Sequence, residues 1–479
     1  MSQQVKRHRT LFLPLALVAV GCLCWVHVFA MGVEYWPDIV DVSFGGGSAE
    51  TDKFNPRGGN IAINEEGTIA VVWTTSREIL PPIRGVGWLR LMNGRGEEHG
   101  CGRIPIVWRS PGNVKSGSVV AGNDGDFFCQ YLVSNGFGSG EPYTIRLQRV
   151  DGLGYPLWNE DGVSLRHGHP ENPMLVSDAQ GGVVLSFVET EQSRFLCQRY
   201  HPSGRPMWGI EPIPISIDHG PFIEPVAIPD GFGGIFAFWM DSFGREIFGQ
   251  HISAEGSRLW GESGISLVER QGDVHSFEHT YFKVIPTSDR SSVIAYESET
   301  PITGVPVIRA QKFSELGHPV WQDGIRLDQR PIQQKLGDLT TGPDGSFFYT
   351  GSTADDAIIS RIGSDGAEQW RVWPLRGNSW SNIAIDYANG VVAVASRQGS
   401  FMQVLGLTAR GESIPPELGV GTSRYDYHRE PVETAVHSNR SVLTLYHGFD
   451  KWGDFPPNAR GFFWLLDPQA PRVVSGRKP

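Results

Sequence analysis

The 479-residue sequence predicts an all-β protein, a single β-propeller of eight four-stranded blades closed by an N-terminal strand, and three observations carry that expectation. The first is composition. Gly 59 and Pro 33 make up about a fifth of the chain, well above the roughly 12% of average proteins, while aromatic residues reach 11% and charged residues only 19%. Many tight turns around a large aromatic core follow, and a disordered chain, poor in aromatics and rich in charge, is excluded. The second is a repeated phrase, and the third is a set of short β-branched or aromatic runs between turn residues in every unit. Length alone would suggest about three domains at roughly 150 residues each, unless one repeat architecture absorbs the whole chain.

The phrase is Gly, three residues, then Trp. It occurs as GYPLW (Gly154, Trp158), GRPMW (Gly204, Trp208), GSRLW (Gly256, Trp260), GHPVW (Gly317, Trp321) and GAEQW (Gly366, Trp370), with Trp-less copies at Gly96 and Gly411. Six intervals between Gly96 and Gly411 give a mean period of 52.5 residues. A second marker precedes it: a turn residue followed six positions later by a large aromatic, as in Gly67 to Trp73, Gly125 to Tyr131, Gly181 to Phe187, Gly233 to Trp239, Arg290 to Tyr296 and Arg440 to Tyr446. Turns near Gly345 and Gly390 lack the aromatic, and the eight units begin near positions 58, 116, 171, 222, 276, 333, 381 and 430. In the fourth unit, strands are expected at Pro225 to Ile228, Gly234 to Met240, Glu246 to Ile252 and Ser263 to Val268, with glycine turns between them. Four strands per unit of about 50 residues, repeated in this way, is propeller arithmetic. Closure is expected from Trp36 to Val42, which echoes Trp321 to Leu327 and should pair as a stray fourth strand with Gly461 to Leu466.

Residues 1–33 read as a signal peptide or membrane anchor and 34–479 as the propeller domain. Lys6, Arg7 and Arg9 precede Leu11 to Val33, a run without Asp, Glu, Lys or Arg. Three readings stay open: cleavage before Met31, a retained anchor, or lipidation at Cys22 within Ala-Val-Gly-Cys. Each puts the remainder outside the cytoplasm, membrane-anchored or secreted. That remainder carries 38 basic and 52 acidic residues, net −14, which argues against nucleic acid as a partner. Cys101, Cys129 and Cys197 lack zinc-site spacing and read as small buried residues.

The Gly-x-x-x-Trp phrase after the third strand resembles the tryptophan-docking repeat of quinoprotein-type β-propellers, and Asp151 and Asp365 stand where that repeat has an acid before its turn. The resemblance implies eight blades, with each Trp packed between neighbours and its preceding loop hydrogen-bonded locally. A Gln-Arg or similar pair on the third strand (Gln148-Arg149, Gln198-Arg199, Gln250-His251) is closer to exported bacterial repeat proteins. No position matches the family's quinone or calcium ligands, so no cofactor is expected. A non-enzymatic relative that scaffolds outer-membrane protein assembly suggests a binding role.

In an antiparallel blade the first and third turns share one face, and the second turn and the blade-to-blade connection share the other. The former are uniformly short here. All length variation lies in the latter, where function on a rigid scaffold usually sits. The candidate binding residues are therefore His167, His169, His219, Phe222, His275, His279, Tyr425, Tyr427, His428 and Trp452. Trp158, Trp208, Trp260, Trp321 and Trp370 recur in register and read as structural. His275-Ser276-Phe277-Glu278-His279 matches the inverted zincin pattern without helical context, and His167-Gly168-His169 reads as a solvated loop, so no metal site and no catalytic residue is assigned. Asn123 to Asp126 and Asp355-Asp356 are turn chemistry rather than calcium loops. The leading expectation is a non-enzymatic binding or scaffold protein that takes a protein or glycan on its long-loop face. The alternatives are a quinoprotein-like oxidoreductase or hydrolase with its site in the central funnel, and a purely architectural envelope protein.

Overall fold

The computed structural model describes residues 40–465 except 44–49, 54–59, 78–85, 108–113, 135–142, 160–161, 166–167, 219, 243–245, 270–281, 300–304, 331, 354–355, 377–382, 399–400, 421–428 and 449–457. Among the described residues the strands group into eight antiparallel sheets. Seven of them each come from one continuous stretch of chain, within 50–107, 114–165, 170–214, 223–269, 282–326, 335–376 and 383–420. The remaining sheet is composite: Val40–Ser43 pairs with Asn458–Leu465, which continues through Ser441–Gly448 to Arg429–Val436. Its register sets Val40 opposite Phe463 and Ser43 opposite Arg460, so the predicted closing strand is present, and Trp36 to Ile39 lie outside the described residues. The first sheet carries an extra strand, Glu50–Lys53, beside Ile61–Ile63 along the same neighbour, Ile69–Arg77.

The innermost strands, Ile61–Ile63, Val114–Ala121, Pro170–Ser177, Ile223–Pro229, Phe282–Pro286, Lys335–Thr341, Ile383–Ala388 and Arg429–Val436, touch from sheet to sheet around a closed β-propeller ring. The second strands read as continuous apolar runs because they are covered on both faces. Phe127–Ser134, Val183–Glu189, Ile235–Met240 and Phe347–Ser352 are buried at every position. The expected aromatics Trp73, Tyr131, Phe187, Trp239 and Tyr296 belong to these cores. No helix among the described residues is long and apolar enough to cross a membrane, and residues 1–33, with Cys22, lie outside them.

Geometry explains the repeated phrase. Each phrase Trp turns its ring toward the next sheet and donates its indole N–H to a carbonyl in that sheet's third turn. The distances are 2.7 Å for Trp158 to Pro202, 2.8 Å for Trp208 to Ala254, 2.9 Å for Trp260 to Glu315, 3.4 Å for Trp321 to Ser364 and 3.0 Å for Trp370 to Ala409. The Gly two residues after that carbonyl has no side chain because the incoming indole occupies the space. A Cβ on Gly256 (φ 85°) would lie 2.9 Å from Trp208, and one on Gly411 (φ 83°) 2.8 Å from Trp370. So the copy at Gly411 keeps its Gly without a Trp of its own, because it receives the Trp of the sheet before it.

The Gln and the basic residue on the third strand complete the joint. Gln148, Gln198, Gln250 and Gln311 donate to carbonyls at or just past the Trp, Asn159, Gly209, Gly261 and Trp321, at 2.7–3.0 Å. The neighbouring cation grips an Asp in its own sheet's first turn and, in most copies, the same carbonyl that the Trp reaches. Arg199 Nε meets Asp178 at 2.9 Å and its Nη1 meets the Ala254 carbonyl at 3.0 Å; His251 substitutes in the next sheet, 3.0 Å from Asp230 and 3.2 Å from the Glu315 carbonyl. Arg149 pairs with Asp126 in the same way, and Lys312 reaches Asp289 at 2.6 Å.

At the junction of the composite and first sheets the parts differ. His437 Nδ1 accepts the Asn439 N–H at 3.1 Å, which leaves Nε2 to carry the proton it donates to the Gly67 carbonyl at 2.6 Å. Asn439 Nδ2 donates to the Gly94 carbonyl at 2.7 Å. One expectation is corrected. Cys129 and Cys197 are buried as predicted, whereas Cys101 is exposed, because it lies on Glu98–Val107, the outermost strand of the first sheet, where its N–H donates to the Leu153 carbonyl at 2.9 Å.

Candidate functional site

A concavity on the long-loop face lies between the third and fourth sheets. It is built by residues 215–218 and 220–222, between Ile213–Pro214 and Ile223–Pro229. The connection is pinned on both sides: Ile215 N to Phe195 O at 2.8 Å and Gly220 N to Ser193 O at 2.8 Å on the third sheet, Ile217 N to Glu262 O at 3.1 Å and Ser216 Oγ to Ser263 O at 3.1 Å on the fourth. Phe222 plugs the seam beneath it, its ring 5.7 Å from Phe195 and 5.6 Å from Trp239.

Two clefts flank Phe222. One, of about 260 Å³, is lined by Ser216, Asp218, Trp239, Asp241, Phe248 and Ser263 among others, with Trp239 and Phe248 stacked 6.1 Å apart. The other, of about 310 Å³, includes Glu171, Asn172, Ser193 and Glu224. Asn172 (φ 48°), Ser193 (φ 52°) and Glu224 (φ 48°) are three non-glycine residues in left-handed backbone, a costly conformation, gathered around this one cleft. Asn172 and Glu224 sit where the register of the innermost strands slips, between Glu171 and Met174 and between Ile223 and Val226. Around the mouth, Ile217 is 50% and Ile223 39% exposed.

Of the candidate binding residues, the described ones are Phe222 and His169. Phe222 is turned inward and is 8% exposed, so the loop it anchors, rather than its ring, presents the surface. His169 lies on the same face, where its Nε2 sits 3.3 Å from Glu191 Oε1 and its carbonyl accepts the Thr190 N–H at 3.1 Å. His167, His219, His275, His279, Tyr425, Tyr427, His428 and Trp452 lie outside the described residues, as does the inverted zincin pattern. Among the described residues no three His, Cys, Asp or Glu side chains converge as metal ligands.

Sequence reasoning missed a row of carboxylates along the innermost strands. Asp338 accepts the Ile385 N–H at 3.3 Å, Asp386 the Val436 N–H at 2.8 Å and Glu433 the Asn60 N–H at 2.6 Å, so each staples its sheet to the next. Lys283 lies 3.3 Å from Asp338. Burial, reinforced by the neighbouring Asp338 charge, pushes Asp386 up against its hydrogen bonds, and burial pushes Glu433 up to about 7. The available signal was positional: an acid at nearly the same place in three consecutive units, hidden because no repeat phrase marks it. A third concavity, about 610 Å³, lies between the fifth and sixth sheets beside Trp373 and Arg371. There Asp328, fully buried, holds Arg330 at 2.8 Å and Arg371 at 2.9 Å, an ion network whose role is to tie the two sheets.

No protein-family model matches the chain, and no curated protein matches it. Solved structures do. Prolyl oligopeptidase B from Galerina marginata is 11% identical with a TM-score of 0.49 over 91% of this chain and 60% of its own, so this chain spans about three-fifths of that enzyme. The Dos1 propeller is 8% identical (TM-score 0.48, covering 89% of this chain and 94% of that one), and the polysaccharide lyase Uly1 10% identical (0.47, 88% and 92%). At such identities the likeness concerns fold alone, and the propeller assignment rests on the strands and their closure.

Proposed function

We propose that this chain is an exported, membrane-associated β-propeller that works as a binding or scaffold module and takes its ligand, a protein segment or glycan, on the long-loop face. The observation that carries the reading is the bridge formed by residues 215–218 and 220–222: pinned to two sheets, it exposes Ile217 beside the exposed Ile223 and helps to wall both clefts beside Phe222. A preformed concavity with an apolar rim and a few placed polar groups is the usual form of a recognition site. Export is supported by the basic start and the uncharged run Leu11 to Val33. In a test, a photoreactive residue replaces Asp218 on the long-loop face or Ser203 in a third turn on the other face. Cross-links from position 218 and none from 203 are expected; equal labelling from both positions, or labelling from 203 alone, overturns the assignment of the face.

The alternative, an enzyme with its site in the central funnel, draws on Glu433, whose raised pKa suits a general acid. Against it, that carboxylate already accepts the Asn60 N–H at 2.6 Å and Asn60 Nδ2 at 3.2 Å. Stapling therefore accounts for its position. Folding favours the protonated form, so the Glu433 contribution is complete below about pH 4.5 and is lost as pH rises toward about 7. Glu433→Gln keeps an acceptor for Asn60 and removes the ionisation. Stability curves from pH 5 to 8 are expected to fall less steeply in the variant, by on the order of 1–2 kcal/mol across the range. Superimposable slopes would remove the staple account of its raised pKa.

A further inference from the structure

The face made by the short first and third turns, opposite the long-loop face, repeats an exposed apolar residue. In four consecutive sheets, the second to the fifth, the residue before the docking Trp is Leu157, Met207, Leu259 and Val320, and each is 40–50% exposed. Each donates its N–H to the same place on its third strand, Arg149, Arg199, His251 and Lys312 in turn, at 2.7–2.8 Å. The four side chains therefore stand at one height on the ring, at the outer margin of the short-turn face. Docking does not require them to be apolar, because the sixth sheet has Gln369 at this place and its Trp370 still reaches its carbonyl at 3.0 Å. Leu153 and Leu316, in the third turns of the second and fifth sheets, are exposed beside the same arc. Single exposed apolar residues are ordinary, whereas a row held at one register over four sheets is a surface.

The chain also enters the ring on this face. Asn458–Leu465 follows the long second connection of the composite sheet, so its far end, where Val40 stands opposite Phe463, is the short-turn end. Six residues, 34–39, separate Val40 from the uncharged run Leu11 to Val33, and they reach at most about 20 Å. The eight residues of Asn458–Leu465 alone rise about 26 Å. A protein held in a bilayer by that run therefore cannot lay its long-loop face on the membrane, because the tether is shorter than the ring is tall. In the ring of eight sheets the fourth lies across from the composite one, so the tether and the apolar arc sit at opposite edges of one face.

Resting on the membrane-associated reading, with Leu11 to Val33 retained as an anchor, we infer that the short-turn face lies against the lipid bilayer. Leu157, Met207, Leu259 and Val320 seat among the headgroups and upper acyl chains, and the long-loop face points away from the membrane. Exposed Glu255, Glu412, Arg205 and Arg410 mix both signs of charge on this face, so apolar contact rather than headgroup charge selects it. The anchor supplies a high effective concentration, and shallow contacts that would be weak in solution then suffice to orient the ring.

The test uses the full chain reconstituted in phosphatidylcholine vesicles, with a photoreactive residue replacing Leu259, Leu316 or Asp218 in separate proteins. Lipid adducts from positions 259 and 316 are expected to exceed those from position 218 about fivefold or more. Leu157→Ser/Met207→Ser/Leu259→Ser/Val320→Ser, shown to fold by thermal melts, is expected to lower the adduct yield from position 316 about threefold or more. Protein that alkaline carbonate washes from the vesicles holds no retained anchor, and this result overturns the membrane-associated reading and the inference together. Anchored protein with equal lipid labelling from 218 and 259, or with labelling from 316 unchanged in the four-serine variant, overturns the inference and leaves the membrane-associated reading standing. Adducts from position 259 to a second copy of the chain in place of lipid overturn it in favour of self-association.

Discussion

Trp260→Ala is expected to lower the unfolding free energy by about 3–5 kcal/mol, among the largest effects of any single change in this protein. The indole is 4% exposed, with ring centroids 5.6 Å from Phe236 and 6.5 Å from Phe238, and it covers Gly317 of the next sheet, lying 3.2 Å from where a Cβ on that residue would stand. Truncation removes that buried surface, leaves a cavity at a sheet-to-sheet junction and strands the Glu315 carbonyl that the indole N–H reaches at 2.9 Å. Trp260→Phe keeps most of the ring and loses the hydrogen bond, so about 1–2 kcal/mol is expected. Trp373→Ala, at a 47% exposed Trp outside the repeat phrase, should stay within about 0.5 kcal/mol. Chemical denaturation of the three variants measures the differences. A Trp373 variant as damaging as the Trp260 variant would refute the docking account, because bulk aromatic loss would then explain both.

Asp178→Ala is the second. Asp178 and Arg199 are nearly buried, paired at 2.8 Å, and Asp178 also accepts the N–H groups of Gln180 at 2.8 Å and Gly182 at 2.7 Å. Removing it leaves the guanidinium desolvated without its counter-charge, a change that costs about 3–5 kcal/mol in other buried pairs. Asp124, paired with Arg149 at 3.2 Å but 77% exposed, provides the contrast, and its alanine variant should lose less than about 1 kcal/mol. The double variant Asp178→Leu/Arg199→Met should recover much of the loss, because no charge is then orphaned. Failure of the double variant to recover would place the cost in the broken turn rather than in the ion.

The histidine version of this joint predicts a pH effect of known sign. Burial alone would raise Asp230, but the His251 ring and the N–H groups of Phe232 and Gly234 outweigh it and hold the carboxyl below its ordinary range. That contribution is present above about pH 4 and is lost as pH falls through the native-state value. It therefore runs opposite to Glu433, whose contribution is lost as pH rises.

Much of the fold was legible because each unit must solve the same local problem. Trp158, Trp208, Trp260, Trp321 and Trp370 each need a carbonyl and a bare glycine in the next unit, so the spacing of Gly and Trp is repeated wherever the joint is. The Gln and its basic neighbour were legible as a pair, but their task was not, since the Asp they serve lies on a different turn. Phe222 was legible as a loop aromatic and turned out to be a plug, because whether a ring faces solvent or seam depends on Phe195 and Trp239, which lie far away in sequence or across a strand. Cys101 shows the same limit: it is exposed because Glu98–Val107 is the outermost strand of its sheet, a place set by the order of strands.

By itself, the sequence determined an all-β chain of repeated four-stranded units, the position of the closing strand opposite Gly461 to Phe463, and which face carries the long connections. Those properties follow from period, turn chemistry and hydrophobic alternation, all of which act over a few tens of residues. Only the tertiary structure decided that Asp338, Asp386 and Glu433 staple neighbouring sheets, and that Phe222 plugs a seam with a cleft on either side. A cleft is made by residues from two sheets whose approach is set by the packing between them, and that packing is a property of the closed ring rather than of any single repeat.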